Sequence, residues 1–450
     1  KTNSTSTITN ANINIGNNST FQENSTKTKG GAVYIESGKV SLGSGADLIG
    51  NKAGYHENTT YNTGYGGAVY TNQGATIEFS NDTEIKNNVA TKDGGAVYND
   101  GNVIFTYDST KTNPEQPSTY YGAVFADNGK YNNNTVTKNG GAIYITENGK
   151  FTSNSLDGTM SNSGIYRVIF DNNAAAQDGG AIYNGNTTDE LKIEESRLSG
   201  NTSNNGGAIY NNGALAVNSS VLSGNTAANN GGAIYNIETG IVNINAGTKI
   251  GETNSGNTAV IGGAVYNLGT LKNNGSENNV ISYIGNSATS MGGAIYNSNV
   301  MTADYTNFKS NSAGSTETGN YTAGQGGAIY NKNATITLDN GTSFSNNFVI
   351  GTTTDNGSYA MGGAIYNTGD DADNKGKVII TGTKFTSNSS DGYGGAVYND
   401  GTISSISGDF KDFEYFTNQE LTSCSEVGNF SAISVIFACV VVSFAMFDKS

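Results

Sequence analysis

The sequence predicts an all-β fold, a right-handed parallel β-helix of about 13 rungs with three short strands in each rung. Two observations carry this prediction: a five-residue unit recurs along the chain, and a second short unit precedes each copy. The composition agrees, because Gly accounts for 62 of 450 residues, Trp is absent and Pro occurs only at Pro114 and Pro117. A coil of this kind builds its core between stacked rungs instead of inside separate globular domains.

The first unit is Gly-Gly-Ala-[Ile/Val]-Tyr, and the intervals between its copies run from 25 to 46 residues. A coil turn that tolerates inserted loops gives such intervals, whereas a helical solenoid would require apolar residues at a 3.6-residue period. The twelve copies begin at Gly30, Gly66, Gly94, Gly140, Gly179, Gly206, Gly231, Gly262, Gly292, Gly326, Gly362 and Gly394.

The second unit is an apolar residue, two variable residues and Asn, and we expect its Asn to form a hydrogen-bonded ladder at a corner of the coil. From the apolar residue to the next Gly-Gly the distance is nine residues in seven copies, eight in two and eighteen in three, which predicts loops inserted at one fixed corner. One copy lacks the apolar residue, because Asn254 stands at that position before Asn257. Examples are Phe21 to Asn24, Leu48 to Asn51, Ile85 to Asn88, Tyr131 to Asn134, Phe170 to Asn173, Leu222 to Asn225, Tyr283 to Asn286 and Phe385 to Asn388.

The longest interval, from Gly94 to Gly140, contains a further short motif. Residues 121–125 read YGAVF and are followed by Asn128, which resembles a decayed extra rung.

The shortest repeat, residues 206–230, divides into three segments that we expect to be strands: GGAIYNNG, ALAVNSS and VLSGNTAANN. The paired glycines allow backbone angles and close approaches that a Cβ atom would prevent. The Ile or Val of each unit, together with residues such as Leu215 and Val217, should point inward and stack on its counterparts about 4.8 Å away.

Strict alternation along the strand then places the tyrosine of each unit on the outside, although the opposite assignment, with Ala and Tyr inside, remains open. Exposed rings would offer flat faces to sugars, which makes this column a candidate ligand-facing stripe. Its members are Tyr34, Tyr70, Tyr98, Tyr144, Tyr183, Tyr210, Tyr235, Tyr266, Tyr296, Tyr330, Tyr366 and Tyr398.

The charge balance argues against nucleic acid and against anionic membrane surfaces as partners. The formal net charge is −15, and Arg occurs only at positions 167 and 197, where we expect surface side chains. A protein that neutralises phosphates needs a basic patch or stripe, and no such run exists in this sequence.

We divide the chain into a β-helix domain at residues 1–418 and an off-pattern tail at 419–450. Both cysteines, Cys424 and Cys439, fall in the tail, so the repetitive body relies on neither disulfides nor thiol chemistry, as suits an exported protein. Residues 430–447 contain no charge, and they are interpreted either as a short membrane anchor or as a cap on the coil.

The remaining signals for chemistry are isolated, and we predict no catalytic, cofactor-binding or metal-binding residues. His56 stands alone in an insertion, and we expect it to be solvated. Asp370, Asp371 and Asp373 resemble the start of a calcium loop, but Lys375 stands where an oxygen ligand is needed. The sequence also has N-x-[S/T] sequons at Asn58, Asn81 and Asn201.

The paired motifs resemble a known family. GGA[IV] preceded by F-x-x-N is similar to the repeats of chlamydial polymorphic membrane proteins, and the fuller GGAIYN also looks like adhesin-like surface proteins of gut methanogenic archaea and several bacteria. The resemblance covers about residues 1–418. It implies an autotransporter-like β-helix that is secreted to the cell surface, outer membrane or envelope and carries no catalytic residues.

On this resemblance the expected function is attachment to a glycan or protein on a host or neighbouring cell. Two alternatives remain open. One is a purely structural surface spacer, and the other is a polysaccharide lyase or hydrolase, because such enzymes share the fold. An enzyme would need carboxylates grouped in a groove on one face.

Overall fold

The computed structural model describes residues 12–56, 59–107, 123–131, 134–155, 161–317, 320–351, 359–370 and 375–410. Within these ranges all regular secondary structure is β-strand, and successive turns of the chain pair in parallel. The all-β parallel β-helix is therefore confirmed. The tail, with residues 430–447, lies outside the described residues, and the domain division and the number of rungs remain predictions.

One face of the coil is a twelve-stranded parallel sheet that contains every copy of the Gly-Gly-Ala-[Ile/Val]-Tyr unit, and we call it the tyrosine sheet. Its register pairs each tyrosine with the tyrosine of the next copy. The strands are Val33–Ile35, Val69–Thr71, Val97–Asn99, Ile143–Ile145, Ile182–Asn184, Ile209–Asn211, Ile234–Asn236, Val265–Asn267, Ile295–Asn297, Ile329–Lys332, Ile365–Thr368 and Val397–Asn399.

The strands that follow the tyrosine sheet form the second and third positions of each rung. Those at the second position are Asn12–Ile15, Lys39–Leu42, Thr76–Phe79, Asn102–Tyr107, Lys150–Ser155, Ile165–Tyr166, Leu191–Glu194, Ala214–Asn218, Ile241–Asn245, Thr270–Asn274, Met301–Asp304 and Thr335–Asp339. Ser161–Ser163 pairs antiparallel with Lys150–Ser155 as a hairpin. Those at the third are Thr20–Gln22, Asp47–Ile49, Thr83–Lys86, Ala123–Ala126, Val168–Asp171, Arg197–Ser199, Val221–Ser223, Lys249–Ile250, Ile281–Ile284, Thr306–Lys309 and Ser343–Ser345. The longer strands Lys377–Thr386 and Thr402–Phe410 span both positions.

A fourth position completes the rung. Its strands are Ser25–Thr26, Lys52–Ala53, Val89–Ala90, Thr202–Asn205, Thr226–Asn230, Thr258–Ile261, Ser287–Met291, Ser312–Ala313, Phe348–Val349 and Ser389–Ser390. The prediction of three strands per rung is wrong for this reason. In the shortest repeat the segment VLSGNTAANN bends at Gly224, where φ is 64°, and so forms two strands instead of one.

The core is a set of columns that run through the coil, as predicted. The Ile or Val of the repeat unit is fully buried in eleven copies, and Val33 packs partly buried against the same core. Leu215 and Val217 are fully buried as well. Aromatic rings stack in one column, where Phe344 lies 4.7 Å from Phe308 and 4.8 Å from Phe385 between ring centroids.

The Ala of the repeat unit also points inward, so simple alternation does not hold at this position. In one rung Ala208 N and Ile209 N both donate to the carbonyl oxygen of Ala233, at 3.1 and 2.8 Å. Two successive N–H groups that share one acceptor turn both side chains toward the core. Ala and Ile are therefore both buried, and the assignment with Ala and Tyr inside is right only for Ala.

The glycines of the unit meet the conditions predicted for them. Gly206 has φ of 63°, and a Cβ atom on it would lie 2.2 Å from the carbonyl oxygen of Ile209. On Gly207 a Cβ atom would lie 2.2 Å from the carbonyl oxygen of Gly232, which belongs to the next rung. The first glycine is thus required by backbone conformation, and the second by the close approach of consecutive rungs.

The Asn of the apolar-x-x-Asn unit forms the predicted ladder, which we call the corner ladder. Asn225 is typical: its Oδ1 accepts the backbone N–H of Asn201 at 3.0 Å and the side-chain Nδ2 of Asn201 at 2.9 Å, and its own Nδ2 donates to the carbonyl of Leu198 at 3.0 Å. The ladder runs through Asn24, Asn51, Asn88, Asn128, Asn173, Asn201, Asn225, Asn257, Asn286, Asn311, Asn347 and Asn388.

Two details of the corner differ from the sequence prediction. Asn128 belongs to the corner ladder, so Phe125 and Asn128 form the regular corner of their rung and not a decayed extra rung, while Asn134 lies in an inserted hairpin. The apolar residue before Asn257 is Ile250, which pairs with Leu222 in the core. A turn closed by the pairing of Glu252 with Ser255 lies between Ile250 and Asn257. Because this turn lengthens the spacing, the apolar-x-x-Asn pattern is not visible here in the sequence.

Candidate functional site

The tyrosine stripe, defined as the twelve tyrosines of the repeat unit, lies on the outer side of the tyrosine sheet. Tyr34 is 44% exposed, Tyr70, Tyr330 and Tyr366 are almost covered, and most of the others are half-buried. Neighbours in the sheet partly cover the rings because each strand places a tyrosine directly beside the next.

The rings of the stripe stack on each other along its whole length. From Tyr70 to Tyr398 the ring centroids are 4.6 to 5.3 Å apart and the planes differ by 4 to 13°. Tyr34 is tilted by 38° to Tyr70 at 5.6 Å. The flat faces expected to receive sugars are therefore covered by other rings, and the stripe presents ring edges and hydroxyl groups.

Burial raises the pKa of many of these hydroxyl groups. Desolvation, followed by the neighbouring Tyr296 hydroxyl, raises the pKa of Tyr266 to about 12. The pKa values of Tyr144 and Tyr183 are raised as well, again chiefly by burial. At neutral pH the stripe is consequently a column of uncharged phenols that can donate and accept hydrogen bonds.

A second column, which we call the flanking column, runs beside the stripe and consists of the residue before each Gly-Gly. Asn139 Nδ2 donates to Asp93 Oδ1 at 2.9 Å, and Asn205 Nδ2 donates to Asp178 Oδ1 at 3.0 Å. Burial raises the pKa of both aspartates. The column comprises Lys29, Tyr65, Asp93, Asn139, Asp178, Asn205, Asn230, Ile261, Met291, Gln325, Met361 and Tyr393.

Cations approach the rings near Tyr34. Lys29 Nζ lies 4.3 Å from the ring centroid of Tyr70 and 5.8 Å from that of Tyr34. Lys92 Nζ donates to the Tyr65 hydroxyl at 3.1 Å and lies 5.3 Å from the centroid of the same ring. This part of the surface therefore combines aromatic rings with positive charge, and Asp93 places a carboxylate beside Lys92.

Three insertions leave the coil at one corner, between the corner ladder and the Gly-Gly turn. Each is an antiparallel hairpin of two short strands: Tyr55–His56 with Thr59–Thr60, Lys130–Tyr131 with Asn134–Thr135, and Ser315–Glu317 with Asn320–Thr322. Because the flanking column follows directly along the chain, the hairpins stand next to the tyrosine stripe. The single-corner prediction is confirmed for the copies that start at Leu48 and Phe308. The hairpin at Lys130–Tyr131 was not predicted, and in the copy that starts at Phe344 residues 352–358 lie outside the described residues.

One cleft of about 390 Å³ opens on another face, beside the strands Lys150–Ser155 and Leu191–Glu194. It is lined by the neighbouring carboxylates Asp189 and Glu190, which gives it part of the character expected of a hydrolase groove. Asp189 is paired with Lys150 at 3.1 Å, and Glu190 accepts a hydrogen bond from Asn243 at 3.1 Å.

The two arginines differ in environment. Arg197 is partly exposed and pairs with Glu252 at 3.1 Å. Arg167 is buried, and the expectation of a surface side chain is wrong for it. Its Nε donates to Glu195 at 2.9 Å, and its guanidinium lies 5.3 and 5.1 Å from the ring centroids of Tyr107 and Tyr166. Stacking and charge pairing together make burial of this cation tolerable.

The other candidate residues are scattered. His56 lies in the first hairpin, and Asn201 is sealed inside the corner ladder. Asp370 forms an ion pair with Lys332 at 3.0 Å, while Asp371, Asp373 and Asn58 lie outside the described residues. Among the residues that the structure describes, no group of three His, Cys, Asp or Glu side chains is arranged to hold a metal ion. The same residues include no helix long and apolar enough to cross a membrane.

A second asparagine ladder was missed by the sequence analysis, although its signal is visible as GGAIYN. The Asn after the stripe tyrosine points inward, and in the consecutive copies from Asn184 to Asn399 each Nδ2 donates to the Oδ1 of the next at 2.6 to 2.8 Å. Ile35, Thr71 and Ile145 replace Asn in three of the earlier copies. The tyrosine sheet is thus fixed on its inner side by amides.

Stacked parallel rungs, two amide ladders and columns of like residues define a parallel β-helix repeat protein. Seven segments of the chain match the model of the Chlamydia polymorphic membrane protein (Chlamydia_PMP) repeat, at residues 18–36, 82–100, 132–146, 167–185, 195–212, 219–237 and 382–400. The chain is therefore a Pmp-like repeat protein. Searches of curated proteins and of solved structures each gave no match.

The repeat family gives the coarse functional class. It suggests a surface-exposed, adhesin-like protein at the cell surface, and proteins of this family are typically not enzymes. Most of the matched segments include both an Asn of the corner ladder and the following stripe tyrosine, so the repeat that the family model matches corresponds here to the corner and to the tyrosine sheet.

Proposed function

We propose that this protein is an adhesin that binds a glycan or protein on a host or neighbouring cell through the hairpin corner and the adjoining tyrosine stripe. The main support for this proposal is that three hairpins leave the coil at the same corner, next to the tyrosine stripe. Of the other side chains in each rung, those that point inward are occupied by the core and the ladders.

The character of the surface suggests how contact is made. The stacked rings present their hydroxyl edges outward, and the flanking column adds carboxylate and amide oxygens beside them. A partner rich in hydroxyl or amide groups, such as a polysaccharide or an extended peptide, suits these donors and acceptors. With a net charge of −15, the chain favours partners that are neutral or basic.

The hairpins can be removed without changing the rung. Deletion of residues 54–62, 130–135 or 314–322 leaves five residues between the ladder Asn and the Gly-Gly, as in the regular rung from Asn225 to Gly231. We expect the triple deletion to fold with an unchanged circular dichroism spectrum and to lose binding to cells and to glycan arrays.

The matched control removes an insertion from a different corner. Deletion of residues 276–279 shortens the turn between Thr270–Asn274 and Ile281–Ile284 to the length found after Asn218. This variant should bind like the unaltered chain. If the triple deletion binds equally well, the hairpin corner is not the contact surface, and an unaltered chain that binds neither cells nor glycans contradicts the adhesin proposal and favours the spacer.

A further inference from the structure

We propose that the tyrosine stripe is a site of oxidative cross-linking, at which a one-electron oxidant joins tyrosines of consecutive rungs as dityrosine. This inference does not depend on the adhesive function. It depends on the stacking of the phenols, on their accessible edges and on the absence of cysteine from residues 1–418.

The stacking supplies the contact that coupling requires. Tyr266 lies 5.0 Å from Tyr235 and 4.6 Å from Tyr296 between ring centroids, with interplanar angles of 13 and 6°. The register of the sheet enforces these neighbours, so a phenoxyl radical formed at an inner position of the stripe meets an intact phenol on each side. Electron transfer between adjacent rings can then move a radical along the stripe until it meets a second one.

The environment of the hydroxyl groups suits this chemistry. Because burial raises the pKa of Tyr266 to about 12, the phenol is protonated in the resting protein, and it releases this proton only when the ring is oxidised. Most ring edges are partly exposed, so the proton can pass to water. Tyr34, tilted and 44% exposed, is the most open position for a first electron transfer.

The reaction balances with a haem peroxidase and hydrogen peroxide. Each of two rings gives one electron to the oxidised haem and its phenolic proton to water. The two radicals then form one C–C bond between ortho carbons, and each ortho hydrogen moves to the phenolic oxygen, which restores both phenols. The pair has lost two hydrogen atoms, and one peroxide has been reduced to two molecules of water.

Such a bond would be a covalent cross-link between consecutive rungs and would stabilise the coil. It joins residues that are 25 to 46 positions apart in the sequence but adjacent in the sheet, and closing a loop of that size removes conformational entropy from the unfolded chain. In the described residues, consecutive rungs are held together by hydrogen bonds, core packing and a few ion pairs. The covalent cross-link would add to these contacts.

The test oxidises the full chain with a haem peroxidase and limiting hydrogen peroxide. The monomer is then isolated, and dityrosine is detected by fluorescence and mapped by mass spectrometry of linked peptides. We expect dityrosine in the monomer, linked peptides that join consecutive stripe positions, and a raised thermal midpoint. The same treatment in urea should give scattered pairs and covalent dimers.

Two variants make the assignment specific. Tyr266→Phe keeps a ring in the stack but removes the phenol, so the links to Tyr235 and Tyr296 should disappear while links elsewhere in the stripe persist. Tyr393→Phe removes an exposed tyrosine outside the stripe and should leave the yield unchanged. Dityrosine found only in dimers, mainly between Tyr359 and Tyr393, or not at all, overturns the proposal.

Discussion

Asp178 pairs with Asn139 one rung away through a backbone bridge, yet the buried Oδ1 of Asn139 has no hydrogen-bond donor. The next step of the same column is complete, because Asn205 Nδ2 donates to Asp178 Oδ1. A carboxylate at position 178 has no hydrogen to offer Asn139. Burial raises the pKa of this carboxyl, which favours the protonated form.

The substitution Asp178→Asn should therefore stabilise the fold at neutral pH. An amide at this position can donate to Asn139 Oδ1 and still accept from Asn205, which is worth about 1 kcal/mol. A raised carboxyl pKa means that the native state loses stability as pH rises from the ordinary carboxyl range through the folded pKa. The gain should thus be largest at pH 7 and shrink toward pH 3.

Urea unfolding at several pH values measures this effect. Glu238→Gln, at an exposed turn, is the control and should change the free energy of unfolding by less than about 0.5 kcal/mol at either pH. An Asp178→Asn variant that is less stable than the parent at pH 7 contradicts the interpretation.

The corner ladder should not tolerate the loss of one amide. Asn225→Ala removes the acceptor of two Asn201 hydrogen bonds and the Nδ2 donor to the Leu198 carbonyl and to Asn257 Oδ1, so four hydrogen bonds of buried groups are lost. At roughly 1 to 3 kcal/mol for each unsatisfied group, we expect a loss of more than about 3 kcal/mol. Asn229→Ala, exposed in the adjacent strand, should be nearly neutral in the same denaturation experiment.

The buried Arg167 should matter far more to stability than Arg197. Arg167→Ala removes the ion-pair partner of Glu195 and the cation that lies over the rings of Tyr107 and Tyr166, so the expected cost is about 3 kcal/mol. Arg197→Ala breaks a more exposed ion pair with Glu252 and should cost less than about 1 kcal/mol. Equal losses in thermal or chemical unfolding would show that burial of Arg167 has no energetic consequence.

The second glycine of a repeat unit should resist even a methyl group. Gly207→Ala places a Cβ atom against backbone atoms of the next rung, where no side-chain rotation can relieve the contact, and we expect a cost of about 3 kcal/mol or more. Gly16→Ala meets nothing within 4 Å and serves as the control. Hydrogen exchange should locate the damage of the first variant in the rungs on either side of Gly207.

The sequence predicts the features that depend on identical residues meeting one rung apart. Inward Ile209, the corner ladder at Asn225 and the corner shared by the hairpins of the Leu48 and Phe308 copies all follow from repetition, because a parallel in-register coil stacks each position on its own copies. These predictions required only the repeat unit and its spacing.

Features that depend on three-dimensional detail were beyond the sequence. The fourth strand arises from a backbone bend at Gly224, and Asn128 was obscured by the competing motif at Tyr131 to Asn134. The sequence indicates that the tyrosines face outward, but the angle between their rings depends on side-chain rotamers and on the sheet spacing. For this reason it did not reveal that the ring faces are covered.

The corner ladder has a direction. In every step the backbone N–H and the side-chain Nδ2 of one Asn both donate to the Oδ1 of the Asn one rung further along the chain. A folded rung therefore presents two donors, the backbone N–H and the Nδ2 of its ladder Asn, to the Oδ1 of the next ladder Asn along the chain. The next Asn does not present two donors to the Oδ1 of the Asn before it. We expect the coil to grow preferentially from its N-terminal side, each rung acting as the template for its successor, in the same order in which a chain is synthesised.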